Sequence, residues 1–202
     1  MADYATDAAA LLDHLGWPTC RVIGVSFGGM VAQEFAGTWP GRVERLALVC
    51  TSPGGTGGAS YPLHALAALP AGERAAVSVR ILDTRFTPEW LAEHPGDRAL
   101  VEMMAARSNE PKTLEQLRGE GEQLAARRSH DVCERLPAIT CPTLVACGRF
   151  DGIAPPANGE WIAAHITGAE LRVYDGGHVF FLQDPTAFPE IVAFLAGNAE
   201  HE

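Results

Sequence analysis

The chain has 202 residues, 47% of them hydrophobic, and this size and composition suit a single globular domain with a substantial core. Its 15 basic and 25 acidic residues give a net charge of −10, which argues against binding to nucleic acid or to an anionic membrane surface. No apolar run is long enough to span a membrane, and the first residues lack the basic start and apolar stretch of a signal peptide, so we predict a cytoplasmic protein.

The first part of the chain alternates between helix-like and strand-like patterns. Gly16 and Pro18 end a first helix, whose apolar residues recur at helical spacing. The apolar half of the second strand is nearly continuous, which is typical of a parallel strand covered on both faces. The predicted elements are a helix over residues 4–15, a strand over 21–25, a helix over 30–36 and a strand over 43–50.

The middle of the chain has a different character and predicts an inserted helical region. Four glycines and one proline in residues 51–60 predict a loop or hinge. Strand-like runs are then absent as far as about residue 128, and Ala, Leu, Glu and Arg dominate. Pro88, Pro95 and Pro111 divide this stretch into several short helices.

The last part of the chain returns to the alternating pattern. The predicted elements are a strand over residues 143–147, a helix over 156–166, a strand over 170–174 and a closing helix over 185–195. Because strands alternate with helices, we predict an α/β fold with a parallel sheet and right-handed crossovers. We therefore expect a core in two parts, residues 1–59 and 131–202, with a helical cap over residues 60–130.

The cysteines and histidines give no sign of a disulfide framework or a metal site. The five cysteines are odd in number and show no C-x-x-C spacing. The seven histidines are scattered without the spacing of metal ligands. We predict reduced thiols, no metal and no cofactor.

A glycine-flanked serine is the strongest motif in the chain. Gly24-Val25-Ser26-Phe27-Gly28 lies between a predicted strand and a predicted helix, which is the context in which G-x-S-x-G presents a nucleophile. A sharp turn there would strain the backbone and lift the serine hydroxyl off the end of the sheet. Side chains in place of Gly24 and Gly28 would collide with the neighbouring elements. The motif alone is also compatible with a small-residue turn.

Two further residues complete a pattern with Ser26. Asp151 and His178 each follow a predicted strand, and reactive groups collect beyond the carboxyl ends of strands in open α/β sheets. Alone, the aspartate would suit a helix cap and the histidine a structural role. In the order Ser, Asp, His, they match a catalytic triad in which the histidine takes the serine proton and the aspartate orients the imidazole. Asp175 is a rival acid, but its closeness to His178 in sequence makes the geometry unfavourable.

The chain resembles the α/β-hydrolase superfamily, in the branch of 3-oxoadipate enol-lactonase-like serine esterases. The resemblance is carried by the segment around Ser26, by Cys-Pro-Thr-Leu-Val-Ala-Cys-Gly-Arg-Phe-Asp ending at Asp151, and by Gly-Gly-His ending at His178. It implies a mostly parallel sheet with a helical cap insertion and the triad Ser26, Asp151 and His178. It also implies that the backbone N–H of Phe27 is one donor of the oxyanion hole.

The resemblance further implies several strands and a His-Gly oxyanion loop before residue 4, and the chain lacks them. We expect a truncated start or an internal methionine at Met1. Loss of one oxyanion donor would lower the rate by about 10²–10³. The strand before Ser26 would become a sheet edge, through which two copies of the chain could pair.

The predicted function is a serine hydrolase that cleaves a small ester or lactone through an acyl-enzyme. Phe150 and Val179 flank the triad and are expected to line the substrate pocket. A substrate carboxylate could be attracted by arginines of the cap, or these could lie on solvated helix faces; they are Arg80, Arg85 and Arg107. The alternatives are a non-catalytic or unstable truncated remnant, a carbon–carbon bond hydrolase, and a cofactor-independent perhydrolase.

Overall fold

The computed structural model describes residues 1–108 and 110–197. In this part of the chain, four parallel strands form one sheet in the order β1-β2-β3-β4. The strands are β1 at Cys20–Val25, β2 at Val43–Val49, β3 at Thr143–Gly148 and β4 at Glu170–Tyr174. The four predicted strands and their parallel arrangement are confirmed. Residue 109 of the predicted cap and residues 198–202 of the predicted core lie outside the described residues.

The helices follow the predicted alternation, and several short ones stand between β2 and β3. They are α1 at Ala2–Leu15, α2 at Phe27–Thr38, α3 at Ala71–Leu82, α4 at Pro88–Glu93, α5 at Pro95–Ser108, α6 at Leu114–Arg128, α7 at Pro156–His165 and α8 at Ala187–Ala196. Pro88 and Pro95 begin α4 and α5, where the N–H that proline lacks has no helical partner. None of the described helices combines the length and apolarity needed to cross a bilayer.

The sheet separates two apolar layers, which explains the unbroken apolar run of β2. Successive side chains of a strand point to opposite faces. Leu46 and Leu48 pack with α1, α2 and α7, whereas Ala47 and Val49 pack with α8. Both faces of β2 and β3 are therefore buried, and their carboxyl ends open toward the same edge of the sheet.

Strand β1 lies at the edge of this sheet. Its recorded partner is β2, and its apolar side chains Ile23 and Val25 stay 43% and 40% exposed. Strand β4 forms the other edge, but there Glu170 and Arg172 form an ion pair on the strand itself. Both edges combine charged and apolar side chains, because Arg21 of β1 pairs with Glu44 and Leu171 of β4 is 37% exposed.

Candidate active site

Ser26 occupies the sharp turn between β1 and α2. Its backbone has φ 52° and ψ −113°, in the left-handed half of φ that side chains disfavour. Hydrogen bonds to the end of β2 and to the residues after it fix the turn. The Ser26 N–H donates to the Val49 carbonyl at 2.8 Å, and the Thr51 hydroxyl donates to the Ser26 carbonyl at 2.8 Å. The strained turn predicted from the motif is therefore present.

The glycines around Ser26 do not all serve the same purpose. A Cβ on Gly24 would lie 2.7 Å from atoms of Ala32, Gly28 and Gly29, as predicted. A Cβ on Gly28 would meet nothing within 4 Å, so the predicted collision there is wrong. The second close approach is at Gly29, where a Cβ would lie 2.5 Å from Thr51 at the end of β2.

In the structure, His178 contacts both Ser26 and Asp151 through its two ring nitrogens. His178 Nε2 lies 2.9 Å from Ser26 Oγ, and His178 Nδ1 lies 2.8 Å from Asp151 Oδ2. Asp151 is buried, and its other oxygen accepts the N–H groups of Ile153 at 2.7 Å and Ala154 at 2.8 Å. Because the carboxylate can only accept at Nδ1, the imidazole proton stays there and Nε2 is left free to accept from the serine.

Phe27 begins α2, directly after the serine. The first N–H groups of a helix have no acceptor within it, so the Phe27 N–H is available beside Ser26. The Phe27 ring meets the edge of the Tyr4 ring at a centroid distance of 5.3 Å, which fixes α1 against this turn.

The loop that carries His178 is tied to the end of α3. The His178 N–H donates to the Leu82 carbonyl at 2.6 Å, and the Gly177 N–H donates to Gln183 Oε1 at 2.8 Å. The rival acid Asp175 lies 3.1 Å from the Arg85 guanidinium and has no recorded contact with the His178 ring in the described chain.

A buried ion pair anchors the same region. Asp83 is fully buried and accepts from Arg85 Nη2 at 2.7 Å and Nε at 3.0 Å. Gln183 Nε2 donates to both Asp83, at 3.0 Å, and Asp97, at 3.2 Å. The Arg85 guanidinium also stacks over Phe150, 4.0 Å from the ring centroid. Arg85 is thus engaged in structural contacts, and the sequence did not indicate Asp83, which pairs with Arg85, or Gln183, which donates to Asp83.

The two predicted pocket residues lie in different places. Val179 lines a groove of about 840 Å³ together with Met103, Met104 and Arg107. Phe150 lies under Arg85 and is absent from the linings recorded for the described cavities.

A smaller cavity of about 170 Å³ lies between the loop after β2 and the end of α6. Its lining includes Ser52, Arg127 and His130, none of which the sequence singled out. Burial lowers the pKa of His130 to about 4, so this imidazole is neutral at pH 7. Arg127 and His130 are close together in the sequence but far from Ser52, and the three residues form no motif that would have identified the cavity.

The chain matches the model of the α/β hydrolase fold family over residues 1–185. It is 29% identical to 3-oxoadipate enol-lactonase 2 of Acinetobacter baylyi, over 93% of this chain and 67% of that protein. It is 31% identical to the 2-hydroxy-6-oxononadienedioate/2-hydroxy-6-oxononatrienedioate hydrolase of Klebsiella pneumoniae, over 93% of this chain and 66% of that protein. The chain thus spans about two thirds of the length of these curated relatives.

Solved structures of hydrolases also superpose on this chain. A hydrolase from Pseudomonas aeruginosa PA01 superposes with a TM-score of 0.71 at 30% identity, covering 96% of this chain and 70% of that one. The enol-lactonase from Burkholderia xenovorans LB400 superposes with a TM-score of 0.73 over 96% of this chain and 72% of that one. At 21% identity, the second similarity shows the fold alone.

Proposed function

Because the chain belongs to the α/β-hydrolase family, we propose that it is a serine hydrolase that cleaves a small ester or lactone through an acyl-enzyme. Members of this family are generally hydrolytic enzymes. The observation that carries the proposal is the continuous set of contacts from Asp151 through His178 to Ser26. The enol-lactonase relative supports an ester or lactone as the substrate class.

Acylation uses the three side chains in sequence. Ser26 Oγ attacks the carbonyl carbon while His178 Nε2 takes the hydroxyl proton, over a starting separation of 2.9 Å. The Asp151 carboxylate stabilises the imidazolium that results. The carbon–oxygen bond to the leaving group then breaks, and Nε2 returns the proton to the departing oxygen.

The negative charge on the carbonyl oxygen is stabilised from the start of α2. The Phe27 N–H follows the nucleophile directly and has no helical acceptor, so it is the donor proposed for the oxyanion. A fixed backbone donor at this place acts on charge that develops in the transition state.

Deacylation repeats the chemistry with water. His178 takes a proton from the water that attacks the acyl carbon, and Ser26 leaves with that proton. The acid product departs and the contacts of the resting site are restored.

A serine-reactive fluorophosphonate tests the nucleophile. We expect the wild-type protein to gain one probe mass and Ser26→Ala to gain none. Hydrolysis of p-nitrophenyl acetate should fall by roughly 10⁴-fold or more in Ser26→Ala. Ser78→Ala, at an exposed position of α3, is the matched control and should label like the wild type. Equal labelling of the wild type and Ser26→Ala would show that the proposed nucleophile is wrong.

A further inference from the structure

The peptide group between Ser26 and Phe27 joins a contact with Thr51 to the N–H proposed for the oxyanion. The Thr51 hydroxyl donates to the Ser26 carbonyl at 2.8 Å. In a planar trans peptide, the carbonyl and the N–H that follows it point in opposite directions. The hydrogen bond from Thr51 therefore also restrains the direction of the Phe27 N–H.

The same bond polarises this peptide group. The N–H groups of Gly29 and Met30 also donate to the Ser26 carbonyl, at 2.9 and 3.3 Å, and the Thr51 hydroxyl adds to them. Hydrogen bonds that are joined through one peptide group strengthen each other, so acceptance at the carbonyl makes the N–H of that peptide a stronger donor. Thr51 is only 3% exposed, so bulk water is kept from this bond.

Neighbouring residues of α2 hold the Thr51 side chain in its orientation. Gln33 Nε2 donates to Thr51 Oγ1 over 3.4 Å, and the same nitrogen is fixed by the carbonyls of Gly29 at 3.0 Å and Ser52 at 3.1 Å. The Gly29 backbone passes so close that a Cβ there would lie 2.6 Å from Thr51 Oγ1. The Thr51 oxygen thus accepts from Gln33 and directs its own proton to Ser26.

The backbone is strained at both ends of this contact. Within residues 1–108 and 110–197, Ser26 and Cys50 are the non-glycine residues with positive φ, at 52° and 43°. Strain of this kind persists where surrounding contacts hold it, and it clusters at functional sites. Ser26 supplies the acceptor of the bond, and Cys50 directly precedes its donor.

We propose that Thr51 is a positioning residue that aims and strengthens the oxyanion donor at Phe27. It acts through the carbonyl of Ser26 and not through the substrate. Because negative charge develops on the substrate oxygen in the transition state, a stronger and correctly aimed N–H lowers the barrier more than it tightens substrate binding. The proposal rests on the proposed hydrolase function and adds to it a residue that sets the rate of acyl transfer.

Nuclear magnetic resonance tests the contact without any use of activity. Ser26-Phe27 is the one Ser-Phe pair in the sequence, so protein labelled with carbonyl-¹³C serine and ¹⁵N phenylalanine gives a single signal for this peptide. We expect Thr51→Val to move the carbonyl carbon and the amide nitrogen upfield, because both nuclei lose the effect of the hydroxyl bond. Thr51→Ser keeps the hydroxyl and should leave both near their wild-type positions. Unchanged signals in Thr51→Val would overturn the proposal.

Hydrolysis of p-nitrophenyl acetate tests the consequence for catalysis. Full loss of an oxyanion donor costs about 10²–10³ in rate, and here the donor remains, so we expect Thr51→Val to lower kcat about tenfold with little change in KM. Phenylboronic acid forms an adduct with the serine that places a negative oxygen in the oxyanion site, so its inhibition constant should rise by a similar factor. Thr51→Ser should recover most of both losses.

The control variant is Thr143→Val. The Thr143 hydroxyl is buried and donates to the Cys141 carbonyl at 2.9 Å, but it lies at the start of β3, at the opposite edge of the sheet from Ser26. This substitution removes the same kind of bond and should keep the wild-type kcat and boronate affinity. Urea unfolding of each variant identifies any loss of folding.

The outcomes distinguish the role of Thr51 from the hydrolase function. A wild-type kcat in Thr51→Val, or an equal loss in Thr51→Val and Thr143→Val, would overturn the proposal even if Ser26 is the nucleophile. A raised KM with an unchanged kcat would assign Thr51 to substrate binding and would also overturn it. Failure of the fluorophosphonate to label Ser26 would overturn the hydrolase function, and the role of Thr51 with it.

Discussion

At the scale of single residues, the site depends on where the strands end. Ser26, Asp151 and His178 each follow a strand, and parallel strands bring their carboxyl ends to one edge, so chain order and strand position together predicted their meeting. Arg127 and His130 line one cavity with Ser52, because the chain after α6 returns to the loop after β2 and Asp131 pairs there with Gly54. That packing leaves no periodic pattern in the sequence.

The glycines near Ser26 also show that contacts with distant parts of the chain cannot be predicted from a local motif. The need for Gly24 follows from the motif, because the atoms it faces belong to the first turns of the helix that directly follows Ser26. The need for Gly29 depends on Thr51, which β2 places opposite the turn from 22 positions further along the chain. Sequence reasoning therefore assigned to Gly28 a constraint that belongs to Gly29.

Two alanine substitutions test which of these glycines has no room for a Cβ atom. Gly24→Ala should destabilise the fold by about 1–3 kcal/mol, because the new Cβ would lie 2.7 Å from three atoms of α2. Gly28→Ala should leave the free energy of unfolding unchanged or raise it by up to about 1 kcal/mol, because it lies in a helix with open space around it. Urea unfolding measures both. Equal losses would contradict the assignment of the close contacts.

At the scale of elements, the strands were easier to predict than the packing of the inserted helices. A strand covered on both faces leaves a continuous apolar run, and prolines mark where short helices begin. Leu114 and Leu117 recur at helical spacing in α6, yet both are exposed, and no residue of this helix is buried. Spacing identifies a helix, but the partner of its apolar face depends on tertiary packing.

Arg85, just after α3, pairs with the buried Asp83 and with Asp175 in the loop before His178, and the sequence did not reveal these contacts. Arg85→Met would leave Asp83 fully buried with an uncompensated charge, so we expect a loss of about 3–5 kcal/mol in unfolding free energy. Arg118→Met breaks an exposed pair on α6 and should cost less than about 1 kcal/mol. Denaturant unfolding distinguishes the two variants.

The double variant Asp83→Leu/Arg85→Met is the internal check on that explanation. It removes the buried charge together with its partner and should recover part of the lost stability. A double variant less stable than Arg85→Met would show that packing, and not the unpaired carboxylate, causes the loss.

At the scale of the whole molecule, the order of the sheet follows the order of the chain. Each crossover leads to the next strand, so β1 and β4 become the edges. The alternation of elements was enough to predict this class of fold. The triad contact between Ser26 and His178 joins residues 152 positions apart, and only the sheet brings them together.

The edge at β1 leads to a prediction about association. Ile23 and Val25 expose apolar side chains at an edge where no second strand of residues 1–108 and 110–197 pairs with β1, a combination that favours pairing with another strand. At β4, one large apolar side chain, Leu171, is exposed, and it lies between the paired charges of Glu170 and Arg172. We therefore expect two copies of this chain to associate through β1 at micromolar concentrations, with a mass in light scattering near twice that of the 21.5 kDa chain.

Ile23→Lys should shift this equilibrium toward the monomer, because a lysine at the edge would have to be desolvated when the strands pair. Leu114→Lys adds the same charge at the exposed end of α6, away from the sheet, and should leave the dimer intact. Sedimentation of both variants and the wild type over a range of concentrations measures the effect. A monomeric wild type, or equal association of Ile23→Lys and wild type, would show that β1 is not the contact.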